Sequence, residues 1–169
     1  MFNRLIFPAF AIPALLISAA AVSTLSPVFA QQQNATPAAL AGFSVKVTYS
    51  QKATDTLAAK KETVVVAGYL YGFPKPGTPR QYIDKMGQVG IGDDIHHEIA
   101  PDAIATFGAV KLDQAMLKWL DARGPQILIN VYSGRKSSPN NLLDCGIYEG
   151  SLAAIQGTTI PIACKLIGE

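Results

Sequence analysis

The sequence predicts a mainly β fold: a single-domain antiparallel β-sandwich carrying one short α-helix. Three observations predict it. Apolar residues come in short alternating or continuous stretches, such as Phe43–Tyr49 and Gln126–Tyr132, which are strand-length rather than helix-length. Gly and Pro punctuate the intervals and force turns there. Only the segment from Asp113 to Arg123 shows a clear helical stripe. A barrel of similar strand count is the alternative arrangement.

Met1–Ala30 reads as a removable export signal. It has one early cation, Arg4, an apolar run from Leu5 to Val22, and Val28-Phe29-Ala30 at a cleavage position. Pro8 and Pro13 interrupt the run and argue against a retained membrane helix. With no cysteine directly following the run near the cleavage position, no stable membrane anchor is expected once the signal is cleaved. Taking 30 residues from 169 leaves 139, the size of one ordinary domain. Gln31–Gly42 lacks periodicity and reads as a flexible leader. Residues 43–169 are expected to form the sandwich domain, in the bacterial periplasm or outside the cell.

Phe43, Val45, Val47 and Tyr49 alternate with Ser44, Lys46 and Thr48, the pattern of a half-buried strand. Ser50–Lys61 holds one or two helical turns ending near Leu57. Thr63–Tyr71 is apolar on both faces and reads as a strand covered on both sides or a long central one. Gly72–Pro79 carries three prolines and two glycines in eight residues, which forbids regular structure. Met86–Ile91, Ile95–Ile99 and Thr106–Val110 read as short strands. Asp113 suits a helix N-cap and Gly124-Pro125 a stop. Between them Ala115, Met116, Trp119 and Leu120 form one stripe, so a helix is predicted over about 113–123, with Trp119 in the core and Leu112 stapled to Leu117. Gln126–Tyr132, Leu142–Tyr148 and Thr159–Ile167 complete the strands.

The two cysteines, Cys145 and Cys164, favour a disulfide in an exported chain. Placing them opposite each other in an antiparallel pair sets a register. Leu143 then meets Leu166, Ile147 meets Ile162, and Asp144 meets Lys165 on the opposite face. A one-residue slip would destroy every match together.

Charge excludes some partners. Arg4 is the only charged residue of the signal, so 13 of the 14 Lys and Arg face 12 Asp and Glu in the remainder. That balance does not suit nucleic acid, which needs clustered cations.

Catalytic patterns are weak. Ser133-Gly134-Arg135-Lys136 has Ser-x-x-Lys spacing, but it follows a strand and lacks the accompanying motifs. Gly90-Ile91-Gly92 lacks a third glycine and a βαβ setting. The segment Gly92–Glu98 holds both histidines and three carboxylates. In a strand Asp94, His96 and Glu98 share a face, while His97 points the other way. The set Asp94, His96, His97 and Glu98 is the candidate zinc or copper site, and the Asp93–Glu98 cluster the candidate centre of a small enzyme. The competing reading is an edge strand blunted by charge.

The strand pattern is compatible with immunoglobulin-like, transthyretin-like or C2-like sandwiches, and fold does not fix function. The expected function is non-catalytic binding of a protein or an envelope glycan. The candidate surface combines Tyr71, Phe73, Pro74, Pro76 and Tyr82 around the proline loop with Arg135 and Lys136 in the loop 134–141. A metal-binding protein or small enzyme centred on Asp93–Glu98 is the second class.

Overall fold

The structure, a computed structural model, describes residues 41–169. The expectations for the signal (1–30) and for nearly all of the leader (31–42) lie outside the described residues. The strands are β1 (Phe43–Tyr49), β2 (Val64–Gly72), β3 (Val89–Gly90), β4 (Ile95–Ile99), β5 (Ile104–Phe107), β6 (Gln126–Ser133), β7 (Leu143–Cys145), β8 (Tyr148–Ser151) and β9 (Thr159–Leu166). The helices are α1 (Gln51–Lys60) and α2 (Gln114–Leu117).

Two sheets pack together as a sandwich. One has the order β5-β1-β9-β7. The other has the order β3-β2-β6-β8, with β4 also paired to β2. Strand alternation turns Val45, Val47, Phe107, Ile160 and Ile162 inward from the first sheet. Val64, Val66, Leu70, Ile127, Ile129 and Val131 meet them from the second. Each such buried side chain stabilises the fold by roughly 1.5–3 kcal/mol relative to exposure. All strand pairs are antiparallel except β1 with β9, which run parallel. Alternation reports which face a residue takes but not strand direction. A parallel pair needs a long connection, and here the connection is most of the domain.

The predicted sulfur register holds where the chain keeps to it. Leu143 pairs with Leu166, Asp144 with Lys165, and Cys145 with Cys164. The cysteines form a disulfide with Cα atoms 4.0 Å apart, as expected of a close, directly opposed pair. Asp144 and Lys165 approach to 3.7 Å. The match of Ile147 with Ile162 does not form. Gly146 makes the last bond to Ala163, and Ile147 is 63% exposed. The predicted strand 142–148 is therefore two strands. At Gly146-Ile147 the chain crosses between sheets, and Tyr148–Ser151 bonds the edge of β6 instead.

The helices exchange weight relative to expectation. α1 is the longer one. Ser50 caps it by accepting from the Ala53 amide at 3.1 Å, and Lys61 closes it in the left-handed region at φ 48°. It buries only Ala53 and Leu57, so its stripe is faint in the sequence. α2 has the predicted cap, with Asp113 Oδ1 accepting from Ala115 at 2.8 Å, but it stops at Leu117 and not near 123. Its next residues are claimed from outside. The Trp119 carbonyl accepts from the Lys75 amide at 2.9 Å and from Thr78 Oγ1 at 3.1 Å. The Asp121 amide donates to the Phe73 carbonyl, and Leu120 bridges to Pro74. Trp119 consequently packs on the proline loop, while Leu112, Met116, Leu117 and Leu120 pack against the core.

The predicted strand 86–91 shrinks to β3, because Asp84 Oδ1 accepts from the Met86 and Gln88 amides and closes a turn. The strand expected over 106–110 lies earlier, as β5.

Candidate functional site

β2 is the central strand of its sheet and explains the site. Its even-numbered residues face the core. Its odd-numbered residues, Val65, Ala67, Tyr69 and Tyr71, face outward, as the doubly apolar sequence implies. Across β6 they meet Tyr132, Asn130, Leu128 and Gln126 in register. β4 adds Glu98 beside Val65 and His96 beside Ala67, and β8 adds Glu149 beside Leu128. The result is an outer sheet face paved with aromatic and aliphatic groups.

The pavement is itself well packed. Ala67 is fully buried and Tyr71 is 5% exposed. Tyr69 meets His96 edge-on, with ring centroids 6.2 Å apart. Tyr71 and Phe73 meet edge-on at 5.6 Å. The Tyr71 hydroxyl donates to Glu149 Oε1. Burial first, and then the Glu149 carboxylate, push its pKa up to about 12 against the opposing pull of Arg123. Tyr69 is raised too, by burial and then by Tyr132 and Asp94.

At one end of the face the proline loop is anchored. Arg123 lies 3.4 Å over the Phe73 ring and pairs with Asp121 at 2.6 Å. Tyr82 stacks on Trp119 at 5.6 Å. Pro74 joins Leu120, and Pro76 stays exposed.

At the other end sits Glu62, only 2% exposed. Its carboxylate accepts from the amides of Thr63, Lys136 and Ser137 at 3.1, 2.9 and 2.8 Å and from Ser137 Oγ. Burial alone would raise its pKa, but the Ser137 hydroxyl and the three amides outweigh that and bring it down to about 2. This pins the loop 134–141. Arg135 then lies over the Tyr132 ring at 5.9 Å, and Lys136 Nζ bonds Glu98 Oε1 at 2.9 Å. Gly134 is required there, since a Cβ would fall 1.9 Å from Thr63 Oγ1.

The predicted surface residues thus divide. Tyr71, Phe73, Pro74, Pro76 and Tyr82 gather at one end of β2, and Arg135 and Lys136 at the other. Nine residues of extended chain separate the two groups by roughly 25–30 Å. The outer face of β2 and β6 joins them through Tyr69, one of the aromatics expected beside the proline loop, and through Asn130 and Tyr132, which the sequence did not mark as a surface. The alternation of Leu128, Asn130 and Tyr132 against Ile127, Ile129 and Val131 carries that signal. Glu62 had no sequence signal.

The candidate metal residues are placed on different sides. His96 and Glu98 lie on the outer face, and Glu98 is held by Thr63 Oγ1 at 2.7 Å and by Lys136, which lower its pKa in that order. His97 turns inward onto Phe107, with centroids 4.4 Å apart. Asp94 sits in the turn before β4. Among the described residues no three His, Cys, Asp or Glu side chains gather where they could hold a metal ion. Ser133 Oγ accepts from the Leu142 amide and Lys136 bonds Glu98, so the Ser-x-x-Lys pattern brings no nucleophile to a base.

No family model matches the chain, and neither does any curated protein or solved structure. The disulfide fits an oxidising compartment outside the cytoplasm. Among the described residues no helix is long and apolar enough to cross a membrane.

Proposed function

We propose that the chain is a periplasmic or secreted, non-catalytic binding module that docks a protein partner on the outer face of its five-stranded sheet. The supporting observation is the difference between its two outer faces. On the four-stranded sheet most residues facing away from the core are polar, Ser44, Lys46, Thr48, Thr106, Asp144, Thr159 and Lys165, interrupted by Ile104, Pro161 and Ala163. That is the ordinary dress of a solvated sheet face. On the five-stranded sheet the equivalent positions hold Val65, Ala67, Tyr69, Tyr71, Leu128 and Tyr132, with Gln126, Asn130, His96, Glu98 and Glu149 around them. Tyrosine at the centre with arginine and paired charges at the rim is the composition of protein interfaces. The face, roughly 30 Å long and three to four strands wide, offers on the order of 500 Å². A standard interface takes about 800 Å² from each partner. The partner therefore also covers the flanking loops that carry Phe73 and Arg135.

Site-directed photocrosslinking in envelope extract tests this. A photoreactive residue at Tyr132 should give a discrete protein adduct that unmodified chain competes away and that Tyr69→Ser abolishes. The same residue at Thr48, on the opposite outer face, should give none. No adduct at Tyr132, or equal adducts at both positions, would overturn the proposal.

A further inference from the structure

A second site lies away from the aromatic face, on the open edge of the sandwich. β4 and β5 are edge strands of different sheets, joined by the short turn 100–103. Between them and the segment 108–114 is a cleft of about 800 Å³, within the range of small-ligand sites.

Its floor is apolar: Leu70, Ile95, Phe107 and Val110. The inward ring of His97, tilted 47° against Phe107, forms one wall. The backbone preforms the shape. The Asp113 amide donates to the Ile91 carbonyl at 2.7 Å and ties the loops on either side together. Gly92 permits that approach, since a Cβ there would lie 2.9 Å from Leu70 Cδ1 and 3.0 Å from the Lys111 carbonyl.

The mouth carries Asp93, Asp94 and Asp113 against Lys111. Asp113 is committed to its helix cap. Asp93 and Asp94 are exposed, and neither joins an ion pair among the described residues. An apolar floor beneath adjacent carboxylates suits a ligand with an apolar body and a positive head.

We propose that this cleft binds an organic cation, an ammonium or guanidinium group on an apolar stem. The stem fills the floor and the head meets Asp93 and Asp94. The cation could be a free amine or the lysine or arginine side chain of another protein. This inference stands independently of the outer-face proposal.

Backbone amide NMR titration of the full chain tests it. Phenethylamine should shift the Gly90, Gly92 and Gly108 amides saturably, and added salt should weaken it. The neutral analogue 2-phenylethanol should bind about ten-fold or more weakly. The double variant D93N/D94N should bind phenethylamine about ten-fold more weakly as well, with an otherwise unchanged spectrum. A blocked lysine amide that shifts the same three glycines assigns the ligand to a protein side chain. If only phenethylamine shifts them, the ligand is a free amine. Equal binding of the alcohol, undiminished binding by D93N/D94N, or the absence of shifts at those glycines would overturn the proposal.

Discussion

Replacing Glu62 with glutamine probes how a buried carboxylate holds the loop that bears Arg135 and Lys136. In the folded chain the Glu62 pKa falls from 4.5 to about 2. At about 1.4 kcal/mol per pH unit, that difference is worth about 3 kcal/mol of stability. The folded pKa is depressed, so the contribution is fully present above 4.5. It is lost as pH falls through that value toward 2. Glu62→Gln removes the charge and sets an amide NH₂ against the donors of Lys136 or Ser137. Hydrogen bonds to a charged group contribute about 1.5–3 kcal/mol each, so a loss of about 3 kcal/mol at pH 7 is expected. The assay is urea unfolding of both proteins at pH 7, 4.5, 3 and 2. Other carboxylates with lowered pKa, such as Glu98, Asp121 and Glu169, are common to both proteins and cancel in the difference. The gap between them should be near its full size at pH 7 and close to zero near pH 2. A gap that stays constant across that range would refute the assignment of the stability to the ionised carboxylate.

Other outcomes follow from the same structure. Replacing both Cys145 and Cys164 with alanine opens a bridge between residues 19 apart and should cost about 3 kcal/mol in the chain-entropy model; a change in denaturant-derived stability below about 1 kcal/mol would contradict it. Gly134→Ala should cost about 1–3 kcal/mol in thermal melts, and adding Thr63→Ala should restore part of it, because the added methyl meets Thr63 Oγ1; independent, additive effects would count against that contact. Trp119→Phe should cost under about 1 kcal/mol, since the Nε1 it removes is buried without a partner among the described residues, while Leu57→Ala, fully buried, should cost about 2–5 kcal/mol. Tyr49, raised mainly by burial, and Tyr71 both ionise near pH 12. Their raised folded values stabilise the chain fully below pH 10 and cease to do so as pH rises through about 12; tyrosinate absorbance should therefore climb above pH 11, and Tyr71→Phe should shrink that late step.

Much of the fold was legible because strand alternation and cysteine placement are local or pairwise signals. The strict pattern of Phe43–Tyr49 fixed its inner face, and the doubly apolar Thr63–Tyr71 marked the central strand. Matching Cys145 to Cys164 gave three correct cross-strand pairs. The helix at 113–123 failed beyond Leu117 for a non-local reason. Met116 and Leu120 of its stripe pack on the core, but Ala115 is exposed and Trp119 turns to the proline loop, where the Trp119 carbonyl and the Asp121 amide found partners in Phe73–Thr78, forty or more residues away. α1 was underweighted because two buried residues, Ala53 and Leu57, are enough to hold it. In the candidate site, Tyr71, Phe73, Arg135 and Lys136 were visible as types of residue, but not their distribution over one sheet face. At Asp93–Glu98 strand alternation already put His96 and His97 on opposite sides, as the structure has them, but nothing local showed that Thr63 and Lys136 engage Glu98.

By itself the sequence determined which residues prefer burial, where the chain must turn, and that sulfur closes the C-terminal strands. Each of those follows from a residue's own chemistry or from its near neighbours. Only the tertiary structure decided that β1 and β9 run parallel, that the chain changes sheets at Gly146, and that Glu62 holds the loop of Arg135. These depend on which distant backbone group satisfies which buried donor or acceptor. That pairing is a property of the assembled sheets, because a strand's pattern specifies its faces but leaves its edges open to several neighbours.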